Sequence, residues 1–215
     1  MTRSNLKVIS LDFDGTLVVS NEIKDNAFEK IFSDWPEHKQ TMIEWHKSRN
    51  TIDRREKFRY FVEEVLKEKG NFEMVVSLVK RFTDLTQQAI INCPWVDGAF
   101  EFLEYFKTKL PLYLVSATPK ENLDEIITKR DIKNSFQKVY GSPLDKFLVL
   151  QTIMKREHVE TYETLYIGDS PEDKQAAKDS GVNFIGLDSG RDLMTKNLHT
   201  DFHSILHYIN SQYKF

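Results

Sequence analysis

Four short runs rich in β-branched and aromatic residues, 8–13, 112–116, 164–167 and 183–187, constrain this chain more than any other feature. They read as strands. Between the last three lie stretches with helical periodicity, Leu123, Ile126, Ile127 and then Phe147, Leu150, Met154. Strand and helix alternating in this way imply right-handed crossovers and a parallel sheet. A weaker strand fits 137–140, and Ile205, Leu206 and Ile209 in the tail after Asp201 predict a closing helix.

The alternation is interrupted once. Residues 21–89 show no convincing strand but several amphipathic stretches: Phe58, Phe61, Val62, Val65, Leu66, and again Phe72, Val75, Val76, Val79, Phe82. About 70 residues exceed what a crossover needs and suffice for a small helical domain. The expected architecture is therefore α/β: a Rossmann-like parallel sheet core formed by 1–17 and 93–215, with an inserted α-helical cap over 18–92. Trp35, Trp45 and Trp95 read as core anchors, and His38 and His46, which lack ligand spacing, as surface residues.

Composition narrows the function. With 30 Lys+Arg against 33 Asp+Glu the formal charge is −3, so the basic footprint of a general nucleic-acid binder is missing. The 40% of hydrophobic residues can bury roughly 70% of the unfolded surface at this length. The single cysteine, Cys93, cannot form an internal disulfide, and the run before Asp12 is too short for a signal peptide or membrane span. A cytoplasmic protein without nucleic-acid or membrane partners, monomer or homodimer, is the expectation.

In an open parallel sheet ligands bind beyond the carboxyl ends of the strands. Here those ends are polar: Asp12-Phe13-Asp14-Gly15-Thr16, then Ser116, then Gly168-Asp169. Asp12 and Asp14, two residues apart, would point the same way while the strand continues, and Gly15 permits a sharp turn just beyond. Two close carboxylates are costly unless a cation sits between them or one holds a proton. A hard cation such as Mg²⁺ suits them, and Asp169 would add a third oxygen ligand. Such a site favours a substrate with its own anionic oxygens, and phosphate is the natural candidate, with Lys146 and Ser116 supplying a charge and a hydroxyl. An isolated D-x-D is usually a solvated turn, but D-x-D-G-T arises by chance in roughly one in a thousand chains this long. Asp169 alone reads equally well as a helix cap before Pro171.

Together these residues resemble the haloacid dehalogenase-like (HAD) hydrolase superfamily. The carrying motifs are residues 9–17 with Asp12-Phe13-Asp14-Gly15-Thr16, the strand ending at Ser116, Lys146 near a helix start, and Gly168-Asp169-Ser170-Pro171-Glu172-Asp173. The resemblance, to the branch of phosphatases and phosphoglucomutases, spans about residues 7 to 190 and implies a helical cap inserted after the first strand. It implies Asp12 as the nucleophile that becomes an aspartyl-phosphate and Asp14 as general acid and base. Mg²⁺ would be held by Asp12, Asp169 and the backbone carbonyl of Asp14, phosphoryl oxygens by Ser116 and Lys146, and Asp173 would orient Lys146 or a metal-bound water. The presence of Asp14 argues against a dehalogenase.

The cap would select the substrate, a small phosphorylated metabolite. In similar enzymes the segment near Arg49, Arg54 and Arg55 reaches over the leaving group, and an arginine there could grip a carboxylate or second phosphate. A solvated helix face is the competing reading. The expected function is Mg²⁺-dependent phosphate-ester hydrolysis. The alternatives are a sugar-phosphate mutase resembling β-phosphoglucomutase and a binding protein that kept the fold without its chemistry. Neither G-x-G-x-x-G nor G-x-x-x-x-G-K-[ST] occurs, which disfavours dinucleotide and P-loop enzymes.

Overall fold

A computed structural model describes residues 4–49, 52–191 and 193–215. Contacts divide the chain into two units, Met1–Ser20 with Cys93–Phe215, and Asn21–Asn92.

The first unit begins with β1 (Ser4–Asn5) and β2 (Val8–Leu11). After the insertion come α5 (Ala99–Phe106), β3 (Leu112–Pro119), α6 (Lys120–Lys129), β4 (Lys138–Ser142), α7 (Lys146–Glu157) and β5 (Thr164–Gly168). Then follow α8 (Pro171–Ser180), β6 (Asn183–Leu187), β7 (Leu198–His199), α9 (Phe202–Gln212) and β8 (Tyr213–Lys214). Six strands form one sheet in the order β4-β3-β2-β5-β6-β7, every pair parallel. This is the expected α/β core. A separate parallel pair, β1 with β8, ties the start of the described chain to its end.

The sheet interior is apolar on both faces, as helices on both sides require. Val8, Tyr113, Val115, Tyr140 and Tyr166 pack with Val149, Leu150 and Ile153 of α7 and with Ala176 and Ala177 of α8. β2 lies between β3 and β5, so the chain leaves it on one side and returns on the other. That reversal opens a crevice at the carboxyl ends of the three strands.

β2 stops at Leu11, two residues before the expected end: the Asp12 amide still bonds the Ile167 carbonyl at 2.9 Å, and beyond it the chain turns. Gly15 takes φ +77, a conformation a side chain would oppose. Val18 bridges Asp14 and Trp95, so residues 18–20 run with this unit.

The second unit contains α1 (Asn21–Phe32), α2 (Pro36–Lys47), α3 (Arg54–Tyr60), which runs on into a π-helical turn (Phe61–Val65), and α4 (Phe72–Asn92). Its interior is aromatic: the Phe28 ring lies 5.3 Å from Phe58, 4.5 Å from Phe82 and 4.1 Å from the His46 imidazole. Trp35 and Trp45 are half-buried against this cluster. Two expectations fail here. Phe72 and Val76 are exposed, because α4 buries the stripe Val75, Leu78, Phe82, Thr86 and Ile90 and those two lie on its flank. His46, expected on the surface, is buried: its Nδ1 meets the Lys57 ammonium at 2.8 Å and its Nε2 meets Asp25 at 3.0 Å. A charged side chain has followed it inward, since Lys57 is only 3% exposed.

Candidate active site

The first unit brings five of the sequence-predicted residues to the crevice end of its sheet: Asp12 and Asp14 after β2, Ser116 in β3, Asp169 after β5, and Lys146 at the start of α7. All except the half-buried Lys146 are buried. Each sits where local sequence chemistry ends one element and starts another. Asp145 caps α7, its carboxylate accepting the Phe147 amide at 2.8 Å, and so fixes Lys146 as the first helical residue. Ser170 caps α8 in a capping box with Asp173, with Pro171 at the first turn. Asp169 is therefore not the cap.

Lys146 binds two carboxylates at once, Asp12 at 2.8 Å and Asp173 at 2.6 Å. Asp173 is fully occupied. One oxygen also accepts the Tyr166 hydroxyl, and the other accepts the amide and hydroxyl of Ser170. Gly168 makes this junction compact: a Cβ there would stand 2.4 Å from the Asp173 Cβ. Asp14 stands apart from the lysine, with Ser20 donating to one oxygen at 2.8 Å and Thr118 to the other at 2.7 Å. The Ser116 hydroxyl oxygen accepts the Thr118 amide at 3.0 Å, leaving its own proton to donate elsewhere. Asp169 accepts from Thr16 at 3.3 Å and from Ser189 at 2.6 Å, and the Arg191 guanidinium lies 3.9 Å away.

Among the described residues, Asp12, Asp169 and Asp173 form a group with carboxylate oxygens within 4.8 Å of one another. The cost of this crowding is visible in Asp12. Burial first, and then the charges of Asp173 and Asp169, push its carboxyl up to about 8 although Lys146 opposes the shift. Burial works against the Lys146 charge as well, but Asp12 and Asp173 outweigh it and hold the ammonium well above its ordinary value. A buried anionic pair that would hold a proton at neutral pH is a chemically suitable seat for a divalent ion, which can replace that proton.

The cap arginines are not gathered by what the second unit shows. Arg49 is exposed over the Trp45 ring, Arg54 is half-buried over the Phe82 ring, and Arg55 is exposed in the first turn of α3. The polar residues that sequence reasoning passed over are Ser20, Thr118, Tyr166, Ser189 and Arg191. Only Thr118 carried a signal, being two residues beyond Ser116 on the same strand.

The profile of the haloacid dehalogenase-like hydrolases matches residues 9–187, most of the chain. The chain belongs to this family. Solved structures share the fold of this HAD hydrolase at low identity. A predicted phosphoglycolate phosphatase from Haemophilus somnus is 18% identical with TM-score 0.75, covering 97% of this chain and 99% of its own. The candidate HAD-hydrolase YfnB from Bacillus subtilis, determined with magnesium bound, is 15% identical with TM-score 0.73, covering 96% and 100%. A candidate β-phosphoglucomutase from Thermotoga maritima is 16% identical with TM-score 0.69, covering 96% and 99%. No curated protein matches the chain. Among the described residues of this HAD hydrolase, no helix is long and apolar enough to cross a membrane.

Proposed function

We propose that this HAD hydrolase is a Mg²⁺-dependent phosphatase that acts on a small phosphorylated metabolite through an aspartyl-phosphate on Asp12. One observation carries the reading: two carboxylates two residues apart occupy different environments, Asp12 facing the Lys146 ammonium and Asp14 held by the hydroxyls of Ser20 and Thr118. Carboxylates separated by environment are suited to different chemical roles.

In the first step an Asp12 oxygen attacks phosphorus in line, the bond from phosphorus to the leaving alcohol oxygen breaks, and Asp14 gives that oxygen its proton. In the second, Asp14 takes a proton from water, the water oxygen attacks phosphorus, and the bond to Asp12 breaks to release phosphate. Lys146 and the free hydroxyl proton of Ser116 would hold phosphoryl oxygens. Asp12, Asp169 and the Asp14 carbonyl would hold the ion, which when bound neutralises charge that otherwise keeps an anionic phosphate from an anionic nucleophile. Asp173, whose carboxylate takes the Lys146 ammonium together with the Tyr166 and Ser170 hydroxyls, would position Lys146. Substrate choice falls to the cap, with Arg49, Arg54 and Arg55 as candidate grips.

The names of the phosphatase and mutase neighbours support this class of substrate, and a mutase would use the same core residues. The test is a panel of phosphorylated metabolites that includes a glucose-phosphate isomer pair, assayed with and without Mg²⁺. Phosphate release that needs Mg²⁺ and disappears in Asp12→Asn is expected. Full turnover by Asp12→Asn would remove the nucleophile assignment, and isomer exchange without phosphate release would replace phosphatase by mutase.

A further inference from the structure

Asp169 is 1% exposed, yet its carboxylate has a cation beside it that the proposed chemistry does not use. The turn that follows β6 brings the Ser189 hydroxyl to one Asp169 oxygen, a hydrogen bond of 2.6 Å, and sets the Arg191 Nη1 charge 3.9 Å from the same oxygen. The turn is built for this. Gly190 adopts φ +80, the Gly190 amide binds the Asp188 carboxylate at 3.1 Å, and the Leu193 amide binds the Arg191 carbonyl at 2.7 Å. The Arg191 side chain itself remains partly exposed at 27%, so water offers it a place to go.

We propose that Arg191 is a displaceable counter-ion of Asp169, which a divalent ion must push aside to bind. The inference rests on the metal-assisted reading above. A guanidinium satisfies a buried carboxylate when no stronger cation is present, and two cations a few ångströms apart repel each other. Arg191 and the metal therefore compete for one carboxylate, and the free enzyme binds metal more weakly than Asp12, Asp169 and the Asp14 carbonyl would allow. Reciprocity follows: a group that draws the guanidinium away, such as an arriving phosphoryl group, tightens metal binding, and the metal tightens the binding of that group by the same factor. Ser189 carries no charge and contributes only its hydrogen bond.

The experiment is a Mn²⁺ titration of the full chain without substrate, read by electron paramagnetic resonance or calorimetry. Arg191→Gln and Arg191→Met should bind Mn²⁺ more tightly than the wild type by about 5- to 150-fold, the ordinary range of a coupling between two binding groups. Arg191→Lys, which keeps the charge, should stay close to the wild type. Arg156→Gln, removing a charge from an exposed position on α7, should change nothing, which separates local competition from loss of net charge. Unchanged or weaker binding in both uncharged variants, while the wild type binds Mn²⁺ in a manner that Asp169→Asn abolishes, overturns the Arg191 assignment and leaves the metal reading intact. Failure of every protein, Arg191→Gln included, to bind Mn²⁺ overturns both.

Discussion

At the scale of the residue, the decisive quantity is the proton on Asp12. Its carboxyl rises on folding from an ordinary 3.8 to about 8, so the folded protein without a divalent ion holds a proton that the unfolded chain gives up near pH 4. The sign follows directly: this group favours folding fully at low pH relative to its ionised form, and the advantage is lost as pH rises toward about 8. In EDTA, Asp12→Asn should therefore gain stability over the wild type as pH increases from 5 to 8, measured as the difference in urea midpoints. A constant difference would contradict the shift. The same proton competes with metal, so Mg²⁺ binding near pH 7 should release about one proton, measurable by calorimetry in buffers of different ionisation enthalpy. Asp14→Asn tests the other carboxylate: loss of a general acid and base costs about 10² to 10⁴ in rate, and both formation and breakdown of the aspartyl-phosphate should slow. Asp12, Asp14, Ser116, Lys146 and Asp169 could be read from sequence because each stands at a fixed place relative to an apolar run. Ser20, Tyr166, Ser189 and Arg191 could not. Common residues far apart in sequence acquire meaning only when the turns after β2 and β6 and the interior of β5 deliver them to a carboxylate.

Elements differ in how plainly they announce themselves. Four sheet strands and the inserted helices were legible because burial on two faces gives continuous apolar runs and burial on one face gives a period near 3.6. β1, β7 and β8, two residues each, are too short to carry any pattern, and their pairing is decided by what lies beside them. In α4 the expected stripe of Phe72, Val75, Val76, Val79 and Phe82 is rotated by packing toward Val75, Leu78 and Phe82, leaving Phe72 67% exposed. A lone histidine such as His46 has no periodicity at all, so its burial beside Lys57 followed only from the fold. Two substitutions test these elements. Phe28→Ala removes the ring shared by Phe32, Phe58, Phe82 and His46 and should cost about 3–5 kcal/mol, read from urea unfolding of the second unit. Gly168→Ala puts a Cβ 2.4 Å from that of Asp173 and must displace the carboxylate that seats Lys146. A folded protein with activity lowered by an order of magnitude or more is expected. Unchanged kcat would show that the junction between β5 and α8 yields without moving the lysine.

For the whole molecule, the division of labour between two units has a thermodynamic consequence. Every side chain assigned to phosphoryl chemistry or metal binding belongs to the unit formed by Met1–Ser20 and Cys93–Phe215, and none to Asn21–Asn92. A ligand stabilises only the folded structure that holds it, by about 2.7 kcal/mol at a hundred times its dissociation constant. The three tryptophans report the units separately: Trp35 and Trp45 lie in the helical unit and Trp95 in the sheet unit. A Trp35→Phe/Trp45→Phe protein therefore follows the sheet unit by fluorescence, and Trp95→Phe follows the helices. Saturating Mg²⁺ should move the denaturation midpoint seen by Trp95 and leave that seen by Trp35 and Trp45 in place. Hydrogen exchange should agree, with Mg²⁺ slowing amides near Asp12, Asp169 and Ser189 and sparing α1 to α4. Equal shifts from both reporters would mean that the units unfold as one cooperative block, in which case Phe28→Ala would lower the midpoint seen by Trp95 as well. Unequal shifts would leave the cap free to vary with the substrate while the sheet unit keeps one chemistry.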